Sequence, residues 1–477
     1  MMGIHQAQPE FFSYRVNLEH RVRQDHPLRR VLAVIDFTFV RAEVARFYGR
    51  NGNEGVDPII LVKLMFLLFF DDVPSERELM ERLPERLDYL WFLGYNLDET
   101  TPHHSVLSKA RARWGKEAFE NIFLRTVQQC VEAGLVDGKK IHVDSSLIDA
   151  HASKDSVVKS GPELIAAYKR AVAAQATKLD ETMTPEHYEA VNDTHVSTTD
   201  PDAALVRKGG RASARPRYHH HRAVDDAHGV ITAVETTPGS IAENKKLSAL
   251  LEQHQANTGK QADTVVGDSK YGTNENLAAC VAAGIRPHLG VLEDKQKKPA
   301  GRAGLYEEQD FAYDEKSDTY RCPAGQELKR RRACARRHTV EYAPDAGVCA
   351  ACGLRARCTT AAAGRTVQRH EQAALVAAGK VIARSPQARR DRRRRQTLIE
   401  GSFAQAANEH GFKRSRWRRL WRQEIQDWLI AAVQNVKLLV RAGGKKLAGA
   451  AAAAAELSGE VKGLWRTITL PVPVCPG

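Results

Sequence analysis

At 477 residues the chain is longer than the roughly 250–300 residues at which a single hydrophobic core stops growing, so more than one domain is expected. Apolar residues make up 43%, which excludes disorder as the overall class. The formal net charge of +13 points to a polyanionic partner, either nucleic acid or an anionic membrane surface.

The N-terminus does not read as a signal peptide, because Glu10, Arg15 and Glu19 precede any apolar run. The longest apolar stretch, Pro58 to Phe70, contains Lys63 and is too short to cross a bilayer. A cytoplasmic protein with reduced cysteines is therefore expected.

Residues 1–138 read as a helical, DNA-binding domain. The run Ile59, Ile60, Leu61, Leu64, Phe66, Leu67, Leu68 suits a buried helix. Ser75 with Glu78 three residues on suits a helix cap. A further helix is predicted from about Ser105 to Gly115. With the segment 75–92 it could form a DNA-reading pair, although an ordinary bundle fits equally well.

The texture changes at Lys140. Ile141-His142-Val143-Asp144 is a short β-type run ending in an acid, followed by a helix over about Pro162–Glu181 and a loop-rich connection over 182–217. Strands are predicted at Arg222–Asp225 and Gly229–Thr236, joined by the turn Asp226-Ala227-His228-Gly229. A helix near Glu243–His254, a strand Thr264–Asp268, a helix Asn274–Ala283 and a strand near Ile285–Leu289 complete a mixed sheet over 139–291. Residues 292–389, rich in Lys, Arg, Gly and Cys, read as an inserted subdomain. Helices resume over 390–440, and 441–477, with its alanine run, reads as a low-complexity tail.

Residues 381–422 carry 13 Lys or Arg against 3 Asp or Glu. Phe403, Phe412, Trp417 and Trp421 are interleaved with them, and cations with flat rings suit phosphates and bases. The expected DNA contacts are Arg392, Arg393, Arg394, Arg395, Lys413, Arg414, Arg416, Trp417, Arg418 and Arg419. The plainer alternative is a solvated charged face.

Phosphodiester chemistry needs an activated oxygen nucleophile and a stabilised leaving oxygen. Two divalent ions on hard carboxylate ligands supply both. Asp144 and Asp268 stand at the ends of two predicted strands, with small residues beside them in Val143-Asp144-Ser145-Ser146 and Gly267-Asp268-Ser269-Lys270-Tyr271-Gly272. Glu400 lies on a predicted helix just after the Arg392–Arg395 run. Taken singly, each acid also fits a turn, a cap or a solvated position. Asp149 is an alternative to Asp144, and Asp225 is a second decoy.

In their order and spacing these motifs resemble the DDE transposases of bacterial insertion sequences, over roughly Pro58 to Leu420. The matching segments include Pro58-Ile59-Ile60-Leu61, Pro74-Ser75-Glu76-Arg77-Glu78-Leu79, His142-Val143-Asp144-Ser145-Ser146, Thr199-Asp200-Pro201-Asp202-Ala203 and Asp225 with His228-Gly229-Val230-Ile231. They end with Gly267–Gly272 and Ile399-Glu400-Gly401-Ser402-Phe403-Ala404. The likeness is to the branch whose core carries a Cys-containing insertion. It implies an α/β (α+β) fold, an RNase-H-like mixed sheet with flanking helices. It also implies Mg²⁺ or Mn²⁺ on Asp144, Asp268 and Glu400, hydrolysis at element ends, and transfer of a 3′-hydroxyl to target DNA. The implied partners are double-stranded DNA and a second copy of the chain, in a nucleoid-associated setting. Relatives carry Tyr, Arg and Lys seven before, four before and seven after the Glu, where this chain has Arg393, Gln396 and Ala407. A protein that only binds DNA, and a nuclease without strand transfer, are the alternative functions.

Cys349-Ala350-Ala351-Cys352 followed by Cys358, with Cys322 as a fourth thiolate, suits structural Zn²⁺. Cys334 or His338 could replace Cys322. Cys130 and Cys280 read as core residues, Cys475 is isolated, and His219-His220-His221 reads as part of a strand.

Overall fold

The computed structural model describes residues 2, 16–49, 54–174, 192–208, 213–295, 304–335 and 338–467, with side chains to 443. Cys475, the predicted helix beyond 174, and part of the 182–217 connection lie outside them.

The helix Pro58–Phe70 forms where its apolar run begins. The Asp57 carboxylate accepts from the Ile59 amide, and Pro58 occupies the first helical position, where its missing N–H costs nothing. Ser75 Oγ accepts from the Glu78 amide at 3.1 Å, the expected cap. The predicted short helix at Ser105 instead runs to Glu132 and kinks at Gly115, whose φ of 70° and ψ of −177° suit glycine.

The main sheet contains β1 (Lys140–Asp149), β4 (Ala204–Val206), β5 (Arg215–Asp225), β6 (Ile231–Pro238), β7 (Thr264–Gly272) and β8 (Arg286–Val291). Its order is β4-β5-β1-β7-β8, with β6 also on β5. β1, β5 and β6 are antiparallel neighbours, while β7 and β8 run parallel to β1. This is the RNase-H-like mixed sheet that the resemblance implies. The short strands β2 (Val157–Lys159) and β3 (His195–Ser197) pair apart from it.

One sheet face, with Ile148, Val224 and Val234, shares a core with Phe66, Trp114, Phe403 and Trp428. The N-terminal helices, the helix Pro386–Glu409 and the helix Leu420–Thr467 therefore close over that face. Ile141, Val143, Ala223 and Val265 point the other way, toward Leu247, Leu277 and Ala383.

A second sheet of five strands lies between β8 and the helix Ala373–Arg384. It comprises β9 (Ala312–Asp314), β10 (Thr319–Arg321), β11 (Glu327–Cys334), β12 (Thr339–Ala343) and β13 (Val367–His370). Tyr320, Leu328, Val340, Tyr342 and Val367 give it a small core of its own. The helix Ala373–Arg384 belongs elsewhere, since its Ala383 is buried in the core beneath β7 and β8.

Candidate active site

Two strand boundaries differ from the sequence expectation, and both differences matter. β1 and β7 do not stop at their aspartates but run on to Asp149 and Gly272. β1 continues because β5 pairs with it along its whole length, from Ile141↔Asp225 to Asp149↔Arg217. The parallel ladder between β1 and β7 ends sooner, at His142↔Val266. Both acids thus stand two residues beyond the last pair, where the strands part. Open parallel sheets characteristically bind ligands beyond such carboxyl ends. The β7–β8 ladder is interrupted between Gly267 and Gly272 as well. At Gly272 a Cβ would lie 1.8 Å from the Gly290 carbonyl oxygen, so only glycine permits this approach.

Asp144 is largely buried, and burial raises its pKa above the usual carboxylate value. Asp268 adds to the rise, and Arg395 opposes it. Arg395 Nη1 donates to Asp144 Oδ2 at 2.6 Å. Arg222 lies directly across the ladder from Asp144. It is fully buried, its pKa is pushed down to about 9 by burial, and it bonds Ser402 Oγ at 2.8 Å.

The helix Pro386–Glu409 lies over this fork. Asp391, Arg395, Ile399, Phe403 and Ala406 form its buried face, one residue every three or four. Asp391 bonds Lys140 at 3.0 Å and His288 at 2.6 Å, which fixes the helix to β1 and β8. Glu400 sits five residues beyond Arg395, about 7.5 Å along the axis and about 140° around it. Its side chain is exposed. The structure thus brings the two aspartates together and places Glu400 on the adjoining helix, outside the fork. Among the described residues, no three His, Cys, Asp or Glu side chains are gathered closely enough to hold an ion.

The two decoy acids have structural partners. Asp149 takes Arg217 Nε at 2.6 Å. Asp225 caps its turn, accepting from the Gly138 and Ala227 amides at 2.7 and 2.9 Å. His220 and His221 are buried in β5, and burial lowers the pKa of both.

The basic run is divided: about half of the expected contacts are taken up within the fold, and the rest stay exposed. Arg392 donates to the Leu289 and Ala383 carbonyls, Arg394 to Asp226, and Arg419 to Asp202. Arg416 bonds Asp72 and the carbonyls of Leu68 and Val73. Trp417 packs between Phe69 and the Arg111 guanidinium. Lys413 donates to Ser146 Oγ at 2.5 Å. Arg393, Arg414 and Arg418 are exposed. Sequence reasoning could not separate these cases, since inward and outward arginines read alike.

Cys322, Cys349, Cys352 and Cys358 line one small cavity of the second sheet domain, and all four are free thiols. Burial raises the Cys358 pKa, and the other three cysteines act on it in the same direction. Cys334 is exposed on β11 and does not line the cavity. Cys130 and Cys280 are buried core residues, as expected.

Residues 16–113 match the family model described as a transposase domain (DUF772), and residues 321–440 match the one described as a transposase DDE domain. No curated protein gives a significant match. Among the described residues, no helix is long and apolar enough to cross a membrane.

Proposed function

We propose a specific chemistry for this chain from the premise that it is a DDE transposase of an insertion sequence. In this reading it cleaves the ends of its element and joins the freed 3′-hydroxyl to target DNA. The observation that carries the reading is the fork between β1 and β7, with Asp144 and Asp268 at its mouth and the helix Pro386–Glu409 across it.

Asp144 and Asp268 offer the hard oxygen donors that Mg²⁺ or Mn²⁺ requires. The hydroxyl of Tyr271, fully buried on β7, has only the Ser145 side chain beside it, and an ion's water shell would give it a further partner. Such ions supply an activated water or hydroxyl and charge for the leaving oxygen. Glu400, the third acid of the set, stands outside the fork, so completing it requires the helix Pro386–Glu409 to turn about its axis, which releases Arg395 from Asp144. Lys413, Arg393, Arg414 and Arg418 hold the DNA backbone, and two copies of the chain act on paired ends.

The test uses purified protein and duplexes carrying the element's end sequence. Cleavage should require Mg²⁺ or Mn²⁺, and Asp144→Ala or Asp268→Ala should abolish it while DNA binding persists. Normal cleavage by the double variant would end this reading.

A structural Zn²⁺ on Cys322, Cys349, Cys352 and Cys358 is part of the same proposal: the four line one cavity, and zinc, which prefers four thiolates, would draw them in from positions that do not yet form an ion-holding cluster. Elemental analysis should find about one zinc per chain, lost in the Cys349→Ser/Cys352→Ser variant. Zinc-free protein with an unchanged melting temperature would refute it.

A further inference from the structure

A cleft of about 650 Å³ lies where the N-terminal helices meet the connection between the two C-terminal helices. Arg77, His104, His151, Arg414 and Trp417 are among its lining residues. The two acids that also line it are already matched. Asp72 takes Arg416 at 2.6 Å, and Glu76 takes the buried Arg111. Arg77 and Arg414 are exposed, and among the described residues neither guanidinium has a carboxylate or carbonyl on it. The cleft therefore carries two positive charges that the fold does not neutralise. Its walls come from both segments that match transposase families, with His151 from between them.

The same connection also runs along β1. The Asp149 amide donates to the Lys413 carbonyl at 3.1 Å, and the Ser415 amide donates to the Asp149 carbonyl at 2.8 Å. Lys413 Nζ reaches back to Ser146, which shares a face of β1 with Asp144. Beyond the strand, His151 Nδ1 donates to the Arg416 carbonyl at 3.1 Å. Basic groups thus lead from Asp144 through Lys413 and Arg414 into the cleft. From Asp144 to Asp149 the strand covers about 17 Å, at about 3.3 Å per residue. One DNA strand advances about 3.4 Å per nucleotide, so about five nucleotides span that length.

We infer that the cleft holds the DNA backbone about five nucleotides from the phosphate that reacts at the fork, with Arg77 and Arg414 as its phosphate contacts. The inference rests on the reading of Asp144 and Asp268 as the reaction centre. Two guanidiniums facing one cleft offer paired N–H donors at a separation set by the fold, which suits phosphate oxygens better than a single mobile charge does. The N-terminal segment thereby grips the same DNA that the sheet cuts.

The experiment binds the full chain, without divalent ions, to a duplex carrying the element's end in which single phosphates are ethylated. The parent chain should show interference at a patch about five nucleotides from the cut. Arg77→Ala/Arg414→Ala should bind about tenfold more weakly, with a salt slope smaller by about 2, and should lose interference at that patch alone. Strand transfer into an ethylated target separates the two sources of DNA, and loss of the patch on either duplex supports the inference. An unchanged salt slope, or a uniform weakening that leaves the patch in place, overturns it. Should the double variant fail to fold, Arg77→Gln decides alone: its slope should fall by about 1, and an unchanged slope overturns the inference. Normal cleavage by the Asp144→Ala/Asp268→Ala chain would overturn the underlying reading instead.

Discussion

Arg395 shows how one side chain can serve both folding and activity. Its ion pair with Asp144 is largely shielded, with side chains 10% and 19% exposed. Removing the guanidinium leaves a desolvated carboxylate without its cation, at a cost of about 1–3 kcal/mol. Arg395→Met should therefore lower the melting temperature. Mg²⁺ should restore part of the loss, because a ligand that binds only the folded state stabilises it. A melting temperature that responds to Mg²⁺ no more than the parent's would show that the ion does not take the place of Arg395.

At the scale of elements, the segment Thr199–Ala203 has a mechanical explanation. Asp200 accepts from the Tyr218 hydroxyl at 2.7 Å and the Arg419 amide at 3.1 Å. Asp202 accepts from Arg419 Nε and from the Leu420 amide, both at 2.9 Å. Together they cap the start of the helix Leu420–Thr467 and fasten it to β5, and Arg419 adopts φ 80° to make the turn. Burial, with neighbouring Asp202, raises the Asp200 pKa to about 7. A raised carboxyl pKa stabilises the fold fully below its unfolded value near 3.8, and that contribution is lost as pH rises through about 7. Asp200→Asn keeps an acceptor oxygen and removes the titration. Its urea midpoint should gain on the parent's as pH rises from 5 to 8, and a pH-independent difference would contradict this account.

For the whole molecule, one continuous core joins the N-terminal helices, the sheet and the two C-terminal helices. Arg416 spans that junction, linking the connection between the two C-terminal helices, near 411–417, to Leu68, Asp72 and Val73. Its removal should cost stability rather than affinity. Arg393 and Arg418 face solvent and should touch phosphate instead. Each neutralisation should reduce the slope of log affinity against log salt by about 1, leaving the melting temperature nearly unchanged. Unchanged salt slopes in Arg393→Ala and Arg418→Ala would place the DNA on another surface.

The sequence by itself determined the elements whose causes are local. The run from Pro58 to Phe70 was legible as a buried helix because ten of its positions are buried all round. The Ser75 cap, the β5–β6 turn with Gly229 at φ 79°, and the aspartates on neighbouring strands were legible in the same way. Tertiary structure decided what depends on a distant partner. Ser145 and Ser146 look like the end of a strand until β5 is known to pair through them. Glu243 looks like an ordinary first-turn acid of a helix, favoured there by the dipole, until β1 and β7 bring Ser145 and Lys270 to it. The direction of each arginine followed the same rule, because a guanidinium takes whichever carboxylate or carbonyl the fold places within reach. Local patterning therefore specified the strands and helices, and only their packing fixed which charges neutralise one another inside the protein and which remain for DNA.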